Sequence, residues 1–252
     1  MSRLTRARPA WGARGAGAGL LLAGLLMAAG GCASLQVRAS QRVSVLVAAA
    51  AQRDGYAVTD DGSVTWRQGD LEVTVEPLTD AALNRLFPEE SSLGQYSINP
   101  YTFGDFVDPE VGYVRNRFTV FRVTVRNGEF AKVELDPLAA RLTTNRGGEV
   151  LQAYGILSGA APQTFEGYYR ARRRPSGNEY YRFSMRMGIV RSNNYGVDKR
   201  VFKGETYGGF IVFDPLDDPV RSVRLTLRDF VLKFTAFDMP LETTDLVFDF
   251  ER

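Results

Sequence analysis

The side chains on which most hydrolases and transferases depend are scarce in this chain. It has no histidine, and its one cysteine is Cys32. Ser-His-Asp and Cys-His triads and histidine-based zinc sites need an imidazole as base or ligand, so those chemistries are excluded. Gly-x-Ser-x-Gly and Ser-x-x-Lys, which mark other nucleophilic serines, do not occur. Carboxylates remain. Asp214, Asp217 and Asp218 lie together in Phe213-Asp-Pro-Leu-Asp-Asp-Pro219. Glycoside hydrolysis needs two acids at a set separation across a cleft, not neighbours in one turn. The segment reads instead as a proline-punctuated turn, and no Asp-x-Asp-x-Asp-Gly loop supports calcium. Gly204, Gly208 and Gly209 lack the spacing of a helix-opening phosphate cradle and read as sites of close backbone packing.

One cluster has the composition of a binding surface: Arg170, Arg172, Arg173 and Arg174, with Tyr168, Tyr169, Tyr180 and Tyr181 beside them. Guanidinium forks match phosphate and carboxylate, and tyrosines stack on sugars or bases. Such a surface suits lipopolysaccharide phosphates, anionic lipid headgroups or an acidic partner. The competing reading is a solvated hairpin tip, because charges commonly blunt exposed strands. Arg122, Arg126, Arg182, Arg186, Arg224 and Arg228 are expected to point outward, and they matter for binding only if several share one sheet face.

The first residues carry Arg3, Arg6, Arg8 and Arg14 with no acid, followed by an apolar run from Leu20 to Ala29. This is the n-region and h-region of an export signal. Gly24, Gly30 and Gly31 interrupt and close the run, which falls short of the ~20 apolar residues of a membrane span. The string Leu25-Leu26-Met27-Ala28-Ala29-Gly30-Gly31-Cys32 resembles the bacterial lipobox, with Ala29 standing where that motif most often has Leu. The resemblance implies cleavage before Cys32, a diacylglycerol on its sulfur and acylation of the new amine. Ala33 and Ser34 resemble outer-membrane sorting signals. Lipidation also accounts for an odd cysteine in an exported chain, and two or three acyl chains hold stably where one is marginal.

Loss of residues 1–31 changes the charge balance. Four of the 31 basic residues and none of the 29 acids lie there, so a formal charge of +2 becomes about −2. No global electrostatic case for nucleic-acid binding remains. The expected organisation is a signal peptide over 1–31, a tether over 32–40 and a folded body over 41–252.

Within that body the pattern is mostly of period two. Gln41–Arg53, with four consecutive alanines, predicts a short helix, although Val43, Val45 and Val47 also alternate as in a strand. Asp60-Asp61-Gly62 predicts a hairpin turn between Tyr56–Val58 and Val64–Trp66. Leu71, Val73 and Val75 form the buried set of a strand, and Thr79 caps a short helix stopped by Pro88. Residues 89–114 read as a long loop packed on the body. Phe121, Val123 and Val125 mark the clearest strand, and Asn127-Gly128 predicts a hairpin returning through Ala131–Leu135. Short strands follow near Ala140–Thr144 and Glu149–Ala153.

Phe165–Ala171 and Tyr180–Ile189 are predicted to form a second hairpin with the arginine run at its tip, and Gly204–Phe213 a central strand. The shift of apolar residues from odd to even positions after Leu227 predicts a bulge at Arg228-Asp229. Leu246, Phe248 and Phe250 mark a last strand.

Many short alternating strands separated by Gly, Pro, Asn and Asp predict an antiparallel sandwich. The block Phe118 to Asn127, with Val133 to Pro137 and Gly204 to Phe213, is similar to immunoglobulin-like domains of bacterial lipoproteins. The expected fold class is therefore mainly β, an antiparallel immunoglobulin-like β-sandwich with one or two short N-terminal helices. The expected function is a non-enzymatic structural or protein-interaction module of the cell envelope, lipid-anchored at the periplasmic face of the outer membrane. An envelope glycan or lipid-headgroup binding module is the alternative, and a carboxylate-dependent hydrolase a third reading. No cofactor or metal is expected beyond the lipid on Cys32, and the expected partners are the membrane and an envelope protein.

Overall fold

A computed structural model describes residues 45–172 and 177–252. Cys32, Ala29, Gly30 and Gly31, the tether, and Arg173 and Arg174 lie outside the described residues. The elements in chain order are strands β1 (Val47–Ala48), β2 (Tyr56–Val58), β3 (Val64–Gln68) and β4 (Leu71–Leu78), helices α1 (Asp80–Leu86) and α2 (Pro88–Ser91), and strands β5 (Thr119–Asn127), β6 (Lys132–Glu134), β7 (Arg141–Thr144) and β8 (Val150–Gln152). Helices α3 (Phe165–Arg172) and α4 (Gly177–Asn193) follow, then β9 (Arg200–Phe202), β10 (Thr206–Phe213), β11 (Ser222–Phe234) and β12 (Pro240–Glu251).

The protein is mainly β, built from two antiparallel sheets packed face to face. One sheet runs β1-β12-β11-β6-β9, with β7 beside β11 and β8 beside β7, and the other runs β10-β5-β4-β3-β2. The inner faces are the alternating apolar sets read from the sequence. Val73, Val75, Phe121, Val123 and Val125 from one sheet meet Leu225, Leu227, Phe230, Phe248 and Phe250 from the other in one buried core. Ring contacts bridge the layers, Phe121 to Phe250 at 5.3 Å and Tyr56 to Phe248 at 5.2 Å between centroids. Apolar burial of this kind is the main favourable contribution to folding, at ~25 cal/mol per Å².

The outer face of the second sheet is also covered. Val120, Phe210 and Val212, which alternate with the inward residues of β5 and β10, pack with Leu83, Tyr101, Phe165, Tyr169, Met187 and Val190 in a second core. Helices α1, α3 and α4 and the loop after α2 thus form a third layer, and the candidate site lies in it.

Several local expectations hold. Tyr56 pairs with Trp66 and Val58 with Val64 across the Asp60-Asp61-Gly62 turn, and Gly62 takes a φ of +83° that disfavours other residues. Thr79 caps α1, its Oγ1 accepting from the Ala82 amide at 3.1 Å. The β11–β12 register slips between Leu227 and Phe230, with Asp229 at a φ of +55°.

Four expectations are corrected. The described part of the predicted Gln41–Arg53 helix is extended: Val47 pairs with Glu251 and Ala48 with Phe250 along the edge of β12, so sheet pairing overrides the helix propensity of the alanines. Asn127-Gly128 does not close a hairpin. The chain there crosses from β5 in one sheet to β6 in the other. The fully buried Asn127 side chain holds the crossing, donating to the Phe130 and Val201 carbonyls at 2.8 and 2.9 Å while accepting from the Phe130 amide. Strand β10 is an edge strand, not a central one; it is apolar on both faces because the helical layer covers the side opposite the sandwich core. The predicted hairpin of Phe165–Ala171 and Tyr180–Ile189 is helical. Phe183, Met187 and Val190 carry the period that counts in α4, spaced four and three apart and continued by Asn194 just past its end, and the odd-position alternation from Tyr181 to Ile189 is coincidental.

Candidate functional site

Helix α3 starts where Thr164 accepts from the Gly167 amide at 3.1 Å, an N-cap that fixes the register of Tyr168, Tyr169 and Arg172. Tyr169 turns inward and is buried; Tyr168 lies over Phe118 at 4.9 Å between centroids. Arg186 precedes the buried Met187 of α4, which directs its guanidinium towards α3 and the loop after α2. That loop is held from beneath by the buried Asn99, whose Nδ2 donates to Ser91 Oγ at 2.9 Å and whose Oδ1 accepts from the Tyr101 amide. Tyr101 in turn donates to Asn194 at the end of α4 at 2.8 Å.

These elements enclose a cleft of about 320 Å³, walled by Phe103, Tyr168 and Tyr169, with Arg117 and Arg186 inside and Arg172 at the rim. Arg117, immediately before β5, is only 8 % exposed. Its Nη1 donates to the Tyr169 hydroxyl at 2.8 Å and to the Asn99 carbonyl at 3.4 Å. Arg186 donates from Nη2 to the Ser97 carbonyl at 2.5 Å. The Nε of each is enclosed with no hydrogen-bond partner among the described residues. Neither guanidinium forms an ion pair with a described carboxylate. Glu179, the acid at the cleft, pairs with Arg182.

This separates Arg117 and Arg186 from the arginines of the sheets. Arg122 pairs with Glu76 and Arg126 with Glu72, directly opposite on β4, and Arg224 with Asp249, directly opposite on β12. Those three outward arginines are cross-strand partners of acids. In the cleft, desolvation holds the Arg186 guanidinium below its ordinary affinity for protons, and the neighbouring Arg117 charge adds to the effect. Burial pushes the Tyr168 phenol up, opposed by Arg117. Asp80, at the start of α1, is raised to about 7 by burial against the pull of Arg117.

The aromatic rings serve mainly as seats for cations. The guanidinium of Arg117 lies 4.2 Å from the Phe103 ring centre, that of Arg172 3.6 Å from Tyr168, and that of Arg182 4.4 Å from Tyr96. Stacking of this kind fixes a guanidinium plane at little desolvation cost.

Of the residues read from sequence, Tyr168, Tyr169 and Arg172 come together here. Arg170 does not, because it pairs with Glu166 one turn back at 2.7 Å. Tyr180 and Tyr181 are exposed on α4 and do not line the cleft. Arg117, Arg186 and Phe103 are the members that sequence reasoning missed as a site. The one available signal was the four-residue spacing of Arg182 and Arg186 on a helix, hidden by reading that helix as a strand. Of the acids in the 214–218 turn, Asp214 accepts from the Tyr154 hydroxyl at 2.7 Å and from Gln163 at 2.9 Å, and Asp217 pairs with Arg146.

A second surface feature is the turn between β11 and β12. Phe237 is 90 % exposed, with Met239 and Leu241 also turned to solvent. The turn is nonetheless well held. The Thr235 amide donates to the Met239 carbonyl at 2.8 Å, and the Asp238 carboxylate takes both Lys132 and Arg200. In comparisons with family models, curated proteins and solved structures, the chain finds no match.

Proposed function

We propose that this chain is a lipid-tethered, non-enzymatic binding module of the bacterial envelope. Cys32 carries the lipid at the periplasmic face of the outer membrane, and the arginine cleft takes an anionic envelope component, a glycan or a lipid headgroup. The observation that carries the reading is the pair Arg117 and Arg186, sunk beside α3 without a carboxylate partner among the described residues. Burying an unpaired charge is costly, and a bound anion relieves that cost. The test is co-sedimentation of the full mature chain with isolated envelope polymer and with anionic vesicles. Charge reversal at Arg172, which sits at the rim and leaves the core untouched, is expected to weaken retention; unchanged retention contradicts the assignment. The tether is tested separately: Cys32→Ala abolishes acyl labelling and releases the protein from membranes, and continued acylation refutes it.

A protein-docking role has one specific observation in its favour, the ordered apolar tip at Phe237, Met239 and Leu241. Strand β1 pairs with the C-terminal end of β12, whereas the tip lies at its N-terminal end, ~30 Å away along the strand. The described chain therefore begins at the end of β12 opposite the tip. A photo-crosslinker at Phe237 is expected to give a discrete adduct with one envelope protein in cells, lost in Leu241→Asp. Labelling no different from that at an exposed control site counts against it.

A further inference from the structure

We propose that the group held in the cleft is a phosphate monoester, bound between Arg117 and Arg186 with Arg172 closing over it; this rests on the anion-binding reading above and narrows it. Charge comes first. The cleft brings three guanidiniums without a described ion pair against one acid, Glu179, which already engages Arg182. A monoester carries about −1.5 to −2 at neutral pH and three acceptor oxygens. A sugar carboxylate carries −1 on two oxygens and leaves at least one fork unmatched.

Donor geometry points the same way. Arg117 uses Nη1 on Tyr169 and Asn99, and Arg186 uses Nη2 on Ser97, so each is anchored by one arm and keeps the other Nη without an acceptor among the described residues. Both lie near the same ring, with guanidinium carbons 5.7 and 5.2 Å from the Tyr169 centre. Two anchored forks beside one ring, each with an arm to spare, offer more donors than a planar carboxylate can accept and suit a tetrahedral oxyanion better.

The rings argue against a neutral glycan. Sugar recognition by stacking needs open aromatic faces, and Phe103, Tyr168 and Tyr96 each already carry a guanidinium. The aromatics orient the cations, and the cations read the ligand.

The experiment is calorimetric titration of the full mature chain with glucose 1-phosphate, glucuronate and glucose, with vesicle binding run in parallel on phosphatidic acid, whose headgroup is a monoester, and phosphatidylglycerol, a diester. Glucose 1-phosphate is expected to bind about tenfold or more tighter than glucuronate, with glucose not binding. Arg172→Ala should cost about tenfold with an unchanged melting temperature, and Arg186→Gln more. The Arg172 variant keeps the test valid should Arg186→Gln fail to fold. Preference for phosphatidic acid vesicles over the soluble ester identifies a lipid source, and the reverse identifies a soluble or glycan-borne phosphate; either supports the proposal. Equal affinity for phosphate and carboxylate, still dependent on Arg172, overturns the phosphate assignment while leaving the anion-binding module standing. Binding of none of these ligands, together with cleft-independent retention on envelope polymer, overturns both.

Discussion

Arg117 donates from Nη1 to the phenolic oxygen of Tyr169 at 2.8 Å, joining the start of β5 to the middle of α3 across 52 residues of sequence. The phenol in turn donates its own hydrogen bond to the Pro100 carbonyl, so one buried hydroxyl links a strand, a helix and the loop between α2 and β5. Tyr169→Phe keeps the ring and removes both bonds. With an acceptor and a charged donor left unsatisfied, the variant is expected to lose about 1–3 kcal/mol of stability in urea unfolding. A neutral outcome would mean that the hydroxyl does not hold the cleft together.

Asn127 does the corresponding work between the sheets. Its side chain bonds to the Phe130 and Val201 carbonyls and the Phe130 amide where the chain crosses from β5 to β6. Asn127→Ala leaves these backbone groups buried and unpaired, and is expected to cost about 2–4 kcal/mol, lowering the urea midpoint without changing the slope. Asn127→Asp should be no milder, since it removes the two donors and buries a charge.

The contrast between these two residues shows what was legible in the sequence. Alternation alone located β4, β5, β11 and β12 and their inward residues, because a two-sheet core rewards period two directly. Asn127-Gly128 was visible as a break but not as a change of sheet, since a turn dipeptide reports local geometry and not the strand that follows it. Helices α3 and α4 read as strands in the sequence because apolar residues at every second position from Tyr181 to Ile189 mimic a sheet face. The Thr164 cap and the Phe183-Met187-Val190-Asn194 spacing were the competing signal. The cleft depended on that misread pair, and on Arg117, which lies 52 residues from Tyr169 and has no local pattern to mark it.

Asp80 makes stability depend on pH in a defined direction. Burial raises its carboxyl from an ordinary 3.8 to about 7 in the folded protein. The folded state therefore holds a proton that the unfolded chain releases, so stability falls as pH rises from about 4 to about 7 and stays low above that. Asp80→Asn removes the dependence. It is expected to stabilise the protein at pH 8 by up to about 4 kcal/mol, read as a higher melting temperature, and to change little at pH 4. An equal effect at both pH values contradicts the shift.

Gly209 lies where β10 passes beneath the end of α4. A Cβ there would sit 2.5 Å from the Tyr195 amide nitrogen and 2.6 Å from its Cα, backbone atoms with no rotamer to yield. Gly209→Ala is expected to cost about 1–3 kcal/mol by forcing the helical layer off the sheet. Gly188→Ala, with open space around its Cβ on α4, should instead be neutral or slightly stabilising. Thermal melts of the pair, measured side by side, separate overpacking from a general intolerance of alanine.

Joint binding of the ligand by Arg117 and Arg186 is read directly by the guanidinium Nε–H resonances of these two residues. In 15N-labelled protein titrated with glucose 1-phosphate, both signals, assigned by their loss in Arg117→Lys and Arg186→Lys, are expected to shift together and saturate, while those of the ion-paired Arg122 and Arg126 stay fixed. Shifts confined to exposed arginines, or none that saturate, would contradict it.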